Sequence, residues 1–134
     1  MARDYKIFIS HSWKHSDDLK NLRELLNNRG YFNVEFQEAS QDEPINSENA
    51  PYIKQALRNR IVSSDIVLAI AGVYATYSDW IEWELKTADR ISKPIVGIVP
   101  WGQERVSSTV QNYSVIDVRW NTESIVNAIR DNAE

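Results

Sequence analysis

The hydrophobic pattern of the chain predicts an alternation of strands and helices. Five apolar runs have the length of strands, and between them apolar residues recur every three or four positions, as in amphipathic helices. The predicted strands cover residues 5–10, 33–36, 65–71, 94–99 and 115–118. The third and fourth runs are almost continuously apolar, which is typical of strands buried on both faces of a parallel sheet. We therefore expect an α/β fold, a three-layer flavodoxin-like domain with about five parallel strands and helices on both faces.

Start and stop signals bound the predicted helices. Ser16 or Asp17 can cap the first helix, and Gly30 is placed to end it. Pro51 suits the first turn of the second helix, and Thr122 can cap the last one. The predicted inward face of the second helix consists of Ile53, Ala56, Leu57 and Ile61.

Two segments lack a strong pattern. Residues 37–50 are polar and include Pro44, so we predict a long loop, and long loops in compact domains are often binding elements. Residues 103–112 show only a weak pattern of one or two helical turns.

The helix predicted after the third strand carries two glutamates with different surroundings. Ser78 or Asp79 can serve as its N-cap. With Trp80 at zero, Glu84 falls at about 40°, inside the apolar arc of the helix, whereas Glu82 falls at about 200°. We therefore expect Glu82 to be solvated and Glu84 to lie on the packing face.

The predicted position of Glu84 on the packing face is unusual for a carboxylate. Burial without a partner is costly, so such a group usually lies at the mouth of a cleft or pairs with a cation or a hydroxyl. Trp80, one turn earlier, would add a flat aromatic surface, which suits a ligand with hydroxyls and a ring, such as a nucleotide. In the alternative interpretation, Glu84 reaches solvent at the edge of the face or pairs with an arginine. Helical geometry alone leaves both open.

In this class of fold, ligands bind outside the carboxyl ends of the strands. The first strand is followed by Ser10, His11, Ser12 and Trp13, where hydroxyls and backbone N–H groups can hold an anion. A capped turn without a ligand explains the same residues. Trp13, Trp80 and Trp101 are the tryptophans predicted to lie near this edge of the sheet. The predicted strand ends lie at residues 10–14, 37–40, 72–77 and 100–101.

Composition narrows the function classes. The 134 residues suit one domain, residues 1–134, and are 43% hydrophobic and 25% charged. The net charge of -4 argues against nucleic-acid binding and against binding to an anionic membrane. No cysteine is present and no apolar run approaches the length of a membrane span, so we expect a cytoplasmic protein.

Several familiar sites are not supported. His11 and His15 are the only histidines and have no third ligand at metal spacing, so we predict no metal site. The chain contains no Gly-x-Gly-x-x-Gly, Walker A or Gly-x-Ser-x-Gly sequence. A phosphoreceiver would need acidic residues after the first strand and an aspartate after the third, and neither is present.

Two segments resemble motifs of TIR domains. Residues 6–12, Lys-Ile-Phe-Ile-Ser-His-Ser, resemble the opening strand box, and residues 80–85, Trp-Ile-Glu-Trp-Glu-Leu, resemble the Trp-Cys-x-x-Glu-Leu helix motif. Residues 37–50 stand where that family has its BB loop. The order and spacing of the elements match over essentially the whole chain. In particular, the chain resembles the stand-alone bacterial TIR-like proteins of Thoeris anti-phage systems, the ThsB family.

The resemblance implies an enzyme that consumes NAD as its substrate and needs no other cofactor. Glu84 matches the catalytic glutamate of TIR enzymes, and Trp80 matches a tryptophan that stacks on the bound nucleotide. Ile81 replaces a cysteine that bond cleavage does not need. The implied product is ADP-ribose or a cyclic ADP-ribose isomer, a diffusible signal read by a separate effector protein. Self-association through the 37–50 loop would complete the site.

Two other functions stay open. One is a non-catalytic adaptor module with the same fold, in which Glu84 is structural. The other is an enzyme similar to nucleoside deoxyribosyltransferases, which share the fold and use a catalytic carboxylate.

Overall fold

Five strands and five helices alternate along the part of the chain that the structure, a computed structural model, describes. That part comprises residues 4–10, 16–38, 48, 50–72, 75, 78–100 and 106–134. The elements are β1 (Asp4–Ser10), α1 (Ser16–Asn27), β2 (Asn33–Glu38), α2 (Ala50–Ser63), β3 (Ile66–Ile70), α3 (Asp79–Arg90), β4 (Ile95–Val99), α4 (Ser108–Tyr113), β5 (Ile116–Arg119) and α5 (Thr122–Asn132).

The strands form one parallel sheet in the order β2-β1-β3-β4-β5. This is the flavodoxin-like order, and the predicted fold class is confirmed. Every residue of β3 and β4 is buried, as their apolar runs predict, whereas β5 is partly exposed at one edge. β1 pairs with both β2 and β3, and its last residue, Ser10, is in register with Ala69.

Two hydrophobic cores lie on opposite faces of the sheet. Successive residues of β1 alternate between them: Ile7 and Ile9 belong to the core beneath α1 and α5, and Phe8 belongs to the core beneath α2, α3 and α4. Because side chains alternate along a strand, Ser10 lies on the same face as Phe8. The fold therefore places the last side chain of β1 under α3.

The predicted helix ends differ from the observed ones in three places. Helix α1 begins at Ser16, so Ser16 and Asp17, the predicted caps, are its first two residues. Helix α1 ends at Asn27, three residues before Gly30, and the left-handed backbone conformation falls on Tyr31, with φ of 60°. The N-cap of α5 is Asn121 and not Thr122, because Asn121 is extended and its Oδ1 accepts a hydrogen bond from the N–H of Ser124.

Two predictions near α2 also need correction. Ile53, Leu57 and Ile61 are spaced four residues apart and form one stripe along α2; Leu57 and Ile61 are buried and Ile53 is partly buried. Ala56 is exposed because it lies beside this stripe and not on it. Strand β2 continues to Glu38, two residues into the predicted 37–50 loop, because backbone pairing with β1 does not require apolar side chains. Most of that loop lies outside the described residues.

No helix within the described ranges is both long and apolar enough to span a membrane.

Candidate active site

The start of α3 fixes which side chains face the sheet. Ser78 is the N-cap in extended conformation, and its Oγ accepts a hydrogen bond of 3.2 Å from the N–H of Ile81. Asp79 and Glu82 follow in the first turn, where the helix dipole favours negative charge. With the helix starting at Asp79, Glu82 is exposed and Glu84 is buried, as the helical spacing predicts.

Glu84 is paired with Ser10 across the core. The Ser10 hydroxyl donates a hydrogen bond of 2.9 Å to Oε1 of Glu84, and the two residues are 0% and 1% exposed. Among the described residues, Oε2 of Glu84 has no hydrogen-bond partner. The interpretation in which Glu84 reaches solvent or pairs with an arginine is therefore wrong, because its partner is a buried hydroxyl.

The surroundings of Glu84 disfavour a negative charge. It lies on the face of α3 that also carries Ile81, Leu85 and Ala88, all fully buried. Burial raises the pKa of Glu84 from 4.5 to about 8, and the hydrogen bond from Ser10 opposes this rise with a smaller effect. Without a ligand, the carboxyl group is therefore mostly neutral at pH 7. Strongly shifted pKa values of this kind are typical of functional sites.

Trp80 lies one helical turn before Glu84 and is partly exposed. Its ring meets that of Trp83 edge to face, with centroids 6.1 Å apart and planes at 83°. The Nζ of Lys54, on α2, lies 5.9 Å from the centroid of the Trp83 ring. Trp80 therefore places an aromatic ring one helical turn from Glu84, at the end of α3 that faces the carboxyl edge of the sheet.

The structure brings together only part of the predicted site. Ser10 and Glu84 are hydrogen-bonded to each other, and Trp80 lies one helical turn before Glu84 on α3. The other predicted contacts, His11, Ser12 and Trp13, lie outside the described residues, as does Trp101. Within the described ranges, no group of three or more histidine, aspartate or glutamate side chains is arranged to hold a metal ion.

The Ser10–Glu84 hydrogen bond is the feature that sequence reasoning missed. The sequence suggests Ser10 as a ligand contact, and that role stays a prediction. The two residues are 74 positions apart, and no local pattern links them. The available signal was topological, because both the last residue of β1 and the face of α3 are predicted at the same edge of the sheet.

Comparison with known families identifies the domain. The model of the TIR-like domain of the Thoeris protein ThsB matches residues 8–105, which is most of the chain. The chain belongs to this ThsB family of TIR-like domains. The matched stretch runs from within β1 past β4 and includes Ser10, Trp80 and Glu84, whereas α4, β5 and α5 lie beyond it.

Solved structures share the fold of this ThsB-type domain at low sequence identity. The CMP N-glycosidase BcmB from Clostridium botulinum is 13% identical with a TM-score of 0.56, and the match covers 93% of this chain and 98% of that one. A flavoprotein in complex with FMN from Lactobacillus acidophilus NCFM is 10% identical with a TM-score of 0.50, covering 96% and 97%. No curated protein matches the sequence.

Proposed function

We propose that this ThsB-type TIR-like domain cleaves the bond between nicotinamide and ribose in NAD, with Glu84 as the catalytic carboxylate. The observation that carries the proposal is the buried Glu84 carboxyl, which is 1% exposed. One of its oxygens accepts a hydrogen bond from Ser10, and the other has no partner among the described residues. A buried polar atom without a partner is costly. A ligand that bonds to Oε2 would remove that cost.

The charge of NAD fits a carboxyl that is neutral when unliganded. The pKa of Glu84 is about 8 because burial disfavours the anion. The nicotinamide ring of NAD carries a positive charge, and an opposite charge nearby favours the ionised carboxylate. Binding of NAD would therefore release the proton of Glu84 to solvent and leave the carboxylate beside the ribose.

The ionised carboxylate can then stabilise the transition state of bond cleavage. The bond between C1′ of the ribose and the ring nitrogen breaks, and its electron pair goes to nicotinamide, which leaves as a neutral base. Positive charge develops on the ribose, where a fixed carboxylate stabilises it. Glycosidases use carboxylates in the same way at an oxocarbenium-like centre. Since the leaving group needs no proton, one carboxylate is sufficient.

The group that captures the ribosyl cation decides the product. Water, which loses a proton in the process, gives ADP-ribose. If Trp80 stacks on adenine and folds it towards the ribose, a nitrogen of adenine or a ribose hydroxyl captures the cation and gives a cyclic ADP-ribose isomer. Such a product would diffuse to a separate effector protein in anti-phage defence. The 37–50 loop of a second copy would close the site.

Nicotinamide release from NAD tests the proposal. The protein is assayed at high concentration, which favours self-association, and the products are resolved by mass. Wild type is compared with Glu84→Gln and with Glu82→Gln, a matched change two residues away on the exposed side of α3. We expect Glu84→Gln to lower the rate about 1,000-fold or more and Glu82→Gln to leave it unchanged. Equal rates for wild type and Glu84→Gln would contradict the proposal.

The same assay separates the alternatives. A buried carboxylate suits the cleavage of other N-glycosidic bonds, so CMP and deoxynucleosides are included as substrates. Release of base from them, with NAD untouched, would favour a nucleoside-processing enzyme. An adaptor module predicts no nicotinamide release at any protein concentration and self-association that survives Glu84→Gln.

A further inference from the structure

We propose that Ser10 is a positioning residue for Glu84: its hydroxyl holds Oε1, leaves Oε2 for the ligand and favours the ionised carboxylate. This inference deepens the proposed function and rests on it for the identity of the substrate. Its central test concerns Glu84 in the unliganded protein and does not depend on the substrate.

The position of Ser10 makes it a rigid donor. It is the last residue of β1, a strand that is paired on both sides by β2 and β3. Its side chain is completely buried, and its neighbour in register on β3 is Ala69, which offers no polar atom from its side chain. The hydroxyl therefore acts through Glu84 and not by contact with solvent.

The hydrogen bond also decides which carboxylate oxygen is left without a partner among the described residues. A serine hydroxyl has one proton to donate, and here it goes to Oε1 at 2.9 Å. Oε2 is left without a partner, so it is the oxygen that carries the proton in the neutral acid and meets the ligand after ionisation. Hydrogen bonds to an ionised acceptor are stronger than those to a neutral one. Ser10 therefore stabilises the anion more than the acid.

Charged groups on the neighbouring helices and strands do not take over the role of Ser10 in stabilising the ionised Glu84. β1 carries Lys6 on the same face as Ser10, but Lys6 lies at the start of the strand and is exposed. α2 carries Lys54, which lies near Trp83, and also the titratable residues Tyr52, Arg58 and Arg60; α4 carries Tyr113. Strands β3 and β4 carry no titratable residue. Within the described ranges, Ser10 is the hydrogen-bond partner of Glu84, and no ion pair reaches it.

The first experiment measures the pKa of Glu84 without ligand, by NMR of protein labelled with ¹³C at the glutamate carboxyl carbons. Glu84→Gln identifies the resonance. We expect Ser10→Ala to raise the pKa of Glu84 by about one unit, because a hydrogen bond to the charged form is lost. Ser10→Cys retains a weaker donor and should give a smaller rise.

Ser64→Ala is the matched control. Ser64 is also buried, at 2% exposure, and its hydroxyl donates to the carbonyl oxygen of Arg60 at 2.7 Å, before the start of β3. This change removes a buried serine hydroxyl at the opposite end of the sheet and should leave the pKa of Glu84 unchanged. An unchanged pKa of Glu84 in both Ser10 variants, or an equal shift in Ser64→Ala, would overturn the inference.

The pH profile of nicotinamide release is the second readout. In Ser10→Ala we expect kcat/KM at pH 7 to fall about tenfold, because kcat/KM follows the ionisation of the free enzyme. The rising limb of its pH profile should move to higher pH, with kcat/KM recovering at alkaline pH. A loss that is the same at every pH would mean a merely structural role and would contradict the inference. A shifted pKa together with no nicotinamide release by wild type would support the role of Ser10 and reject NAD as the substrate.

Discussion

Lys93 and Glu84 are both buried ionisable side chains, but the protein satisfies them very differently. Lys93 is 8% exposed, and its Nζ lies 2.6 Å from the carbonyl oxygen of Ser64, 3.3 Å from that of Val62 and 2.8 Å from Oε2 of Glu134. Glu84 is 1% exposed and has one hydroxyl partner. Lys93 lies just before β4, at the amino end of the sheet, whereas Glu84 lies beside the carboxyl end of β1.

The difference separates a structural charge from a candidate catalytic one. A buried charge with a complete set of partners can be held in place by the fold alone. Glu84 has one oxygen without a partner, and burial of a carboxyl group in apolar surroundings opposes its ionisation. We infer that the fold keeps Lys93 for stability and tolerates Glu84 at a cost in stability, for its chemistry.

The largest expected effect is a difference in the pH dependence of stability between wild type and Glu84→Gln. Between pH 4.5 and about 8 the native carboxyl keeps a proton that the unfolded chain has lost. Wild type should therefore lose stability relative to Glu84→Gln as pH rises through this window, by about 1.4 kcal/mol per pH unit and up to about 5 kcal/mol in total. Above pH 8 the gap should stay constant.

Urea unfolding at a series of pH values measures this gap, and below pH 4.5 the gap should stop changing, because Glu84 is then neutral in both the native and the unfolded state. Glu82→Gln, on the exposed side of the helix, is the control. Its free energy of unfolding should change with pH in the same way as that of wild type. Parallel curves for wild type and Glu84→Gln would mean that Glu84 is not buried in the way described.

Removal of the Lys93 ammonium group should give the next largest effect. Lys93→Met keeps the aliphatic part of the side chain but leaves the carbonyl oxygens of Ser64 and Val62 without their donor. We expect the free energy of unfolding to fall by about 2–3 kcal/mol. Lys86→Met, at an exposed position of α3, should change it by less than about 0.5 kcal/mol.

The rate of nicotinamide release should separate the Lys93 variant from the Glu84 variant most clearly. Because Lys93 lies at the other end of the sheet, folded Lys93→Met should release nicotinamide at the wild-type rate. A loss of activity in folded Lys93→Met would show that Lys93 contributes to the site and would contradict its purely structural role.

The smallest expected effect belongs to Glu134→Gln. The Glu134 side chain is 51% exposed, so its ion pair with Lys93 is screened by solvent. The amide oxygen of glutamine can still accept from Lys93, and the two carbonyl acceptors remain. We expect thermal unfolding to show a loss of less than about 1 kcal/mol, smaller still at high salt. A loss as large as that of Lys93→Met would mean that the ion pair, and not the carbonyl oxygens, holds the lysine.

The sequence predicted most of the fold because its signals are local. The apolar runs of β3 and β4 indicated buried parallel strands, and the spacing along α3 separated Glu84 from Glu82. Caps were less certain because Asn121 and Thr122 are adjacent and both residue types can cap a helix. The end of α1 was also ambiguous, since Gly30 can adopt a left-handed conformation that the chain instead gives to Tyr31.

The partners of the two buried ionisable side chains could not be predicted, because they are tertiary contacts. Helical spacing placed Glu84 on the packing face, but Ser10 is 74 residues away along the chain. Lys93 showed no signal at all: it precedes Pro94 at a strand start, where a lysine is usually exposed. Its burial follows from the backbone carbonyl groups of residues 62 and 64 and from Glu134, which no sequence pattern brings together.

The central claim is that Glu84 is catalytic and that its burial lowers stability. The most direct test measures nicotinamide release from NAD and urea unfolding on one preparation of Glu84→Gln, both at pH 8. The account predicts that this variant is more stable than wild type and releases nicotinamide at least about 1,000-fold more slowly, because the carboxyl group is kept for chemistry at a cost in stability. Undiminished release by Glu84→Gln would contradict the assignment of Glu84. A variant less stable than wild type at this pH would contradict the claim that burial of the carboxyl is costly.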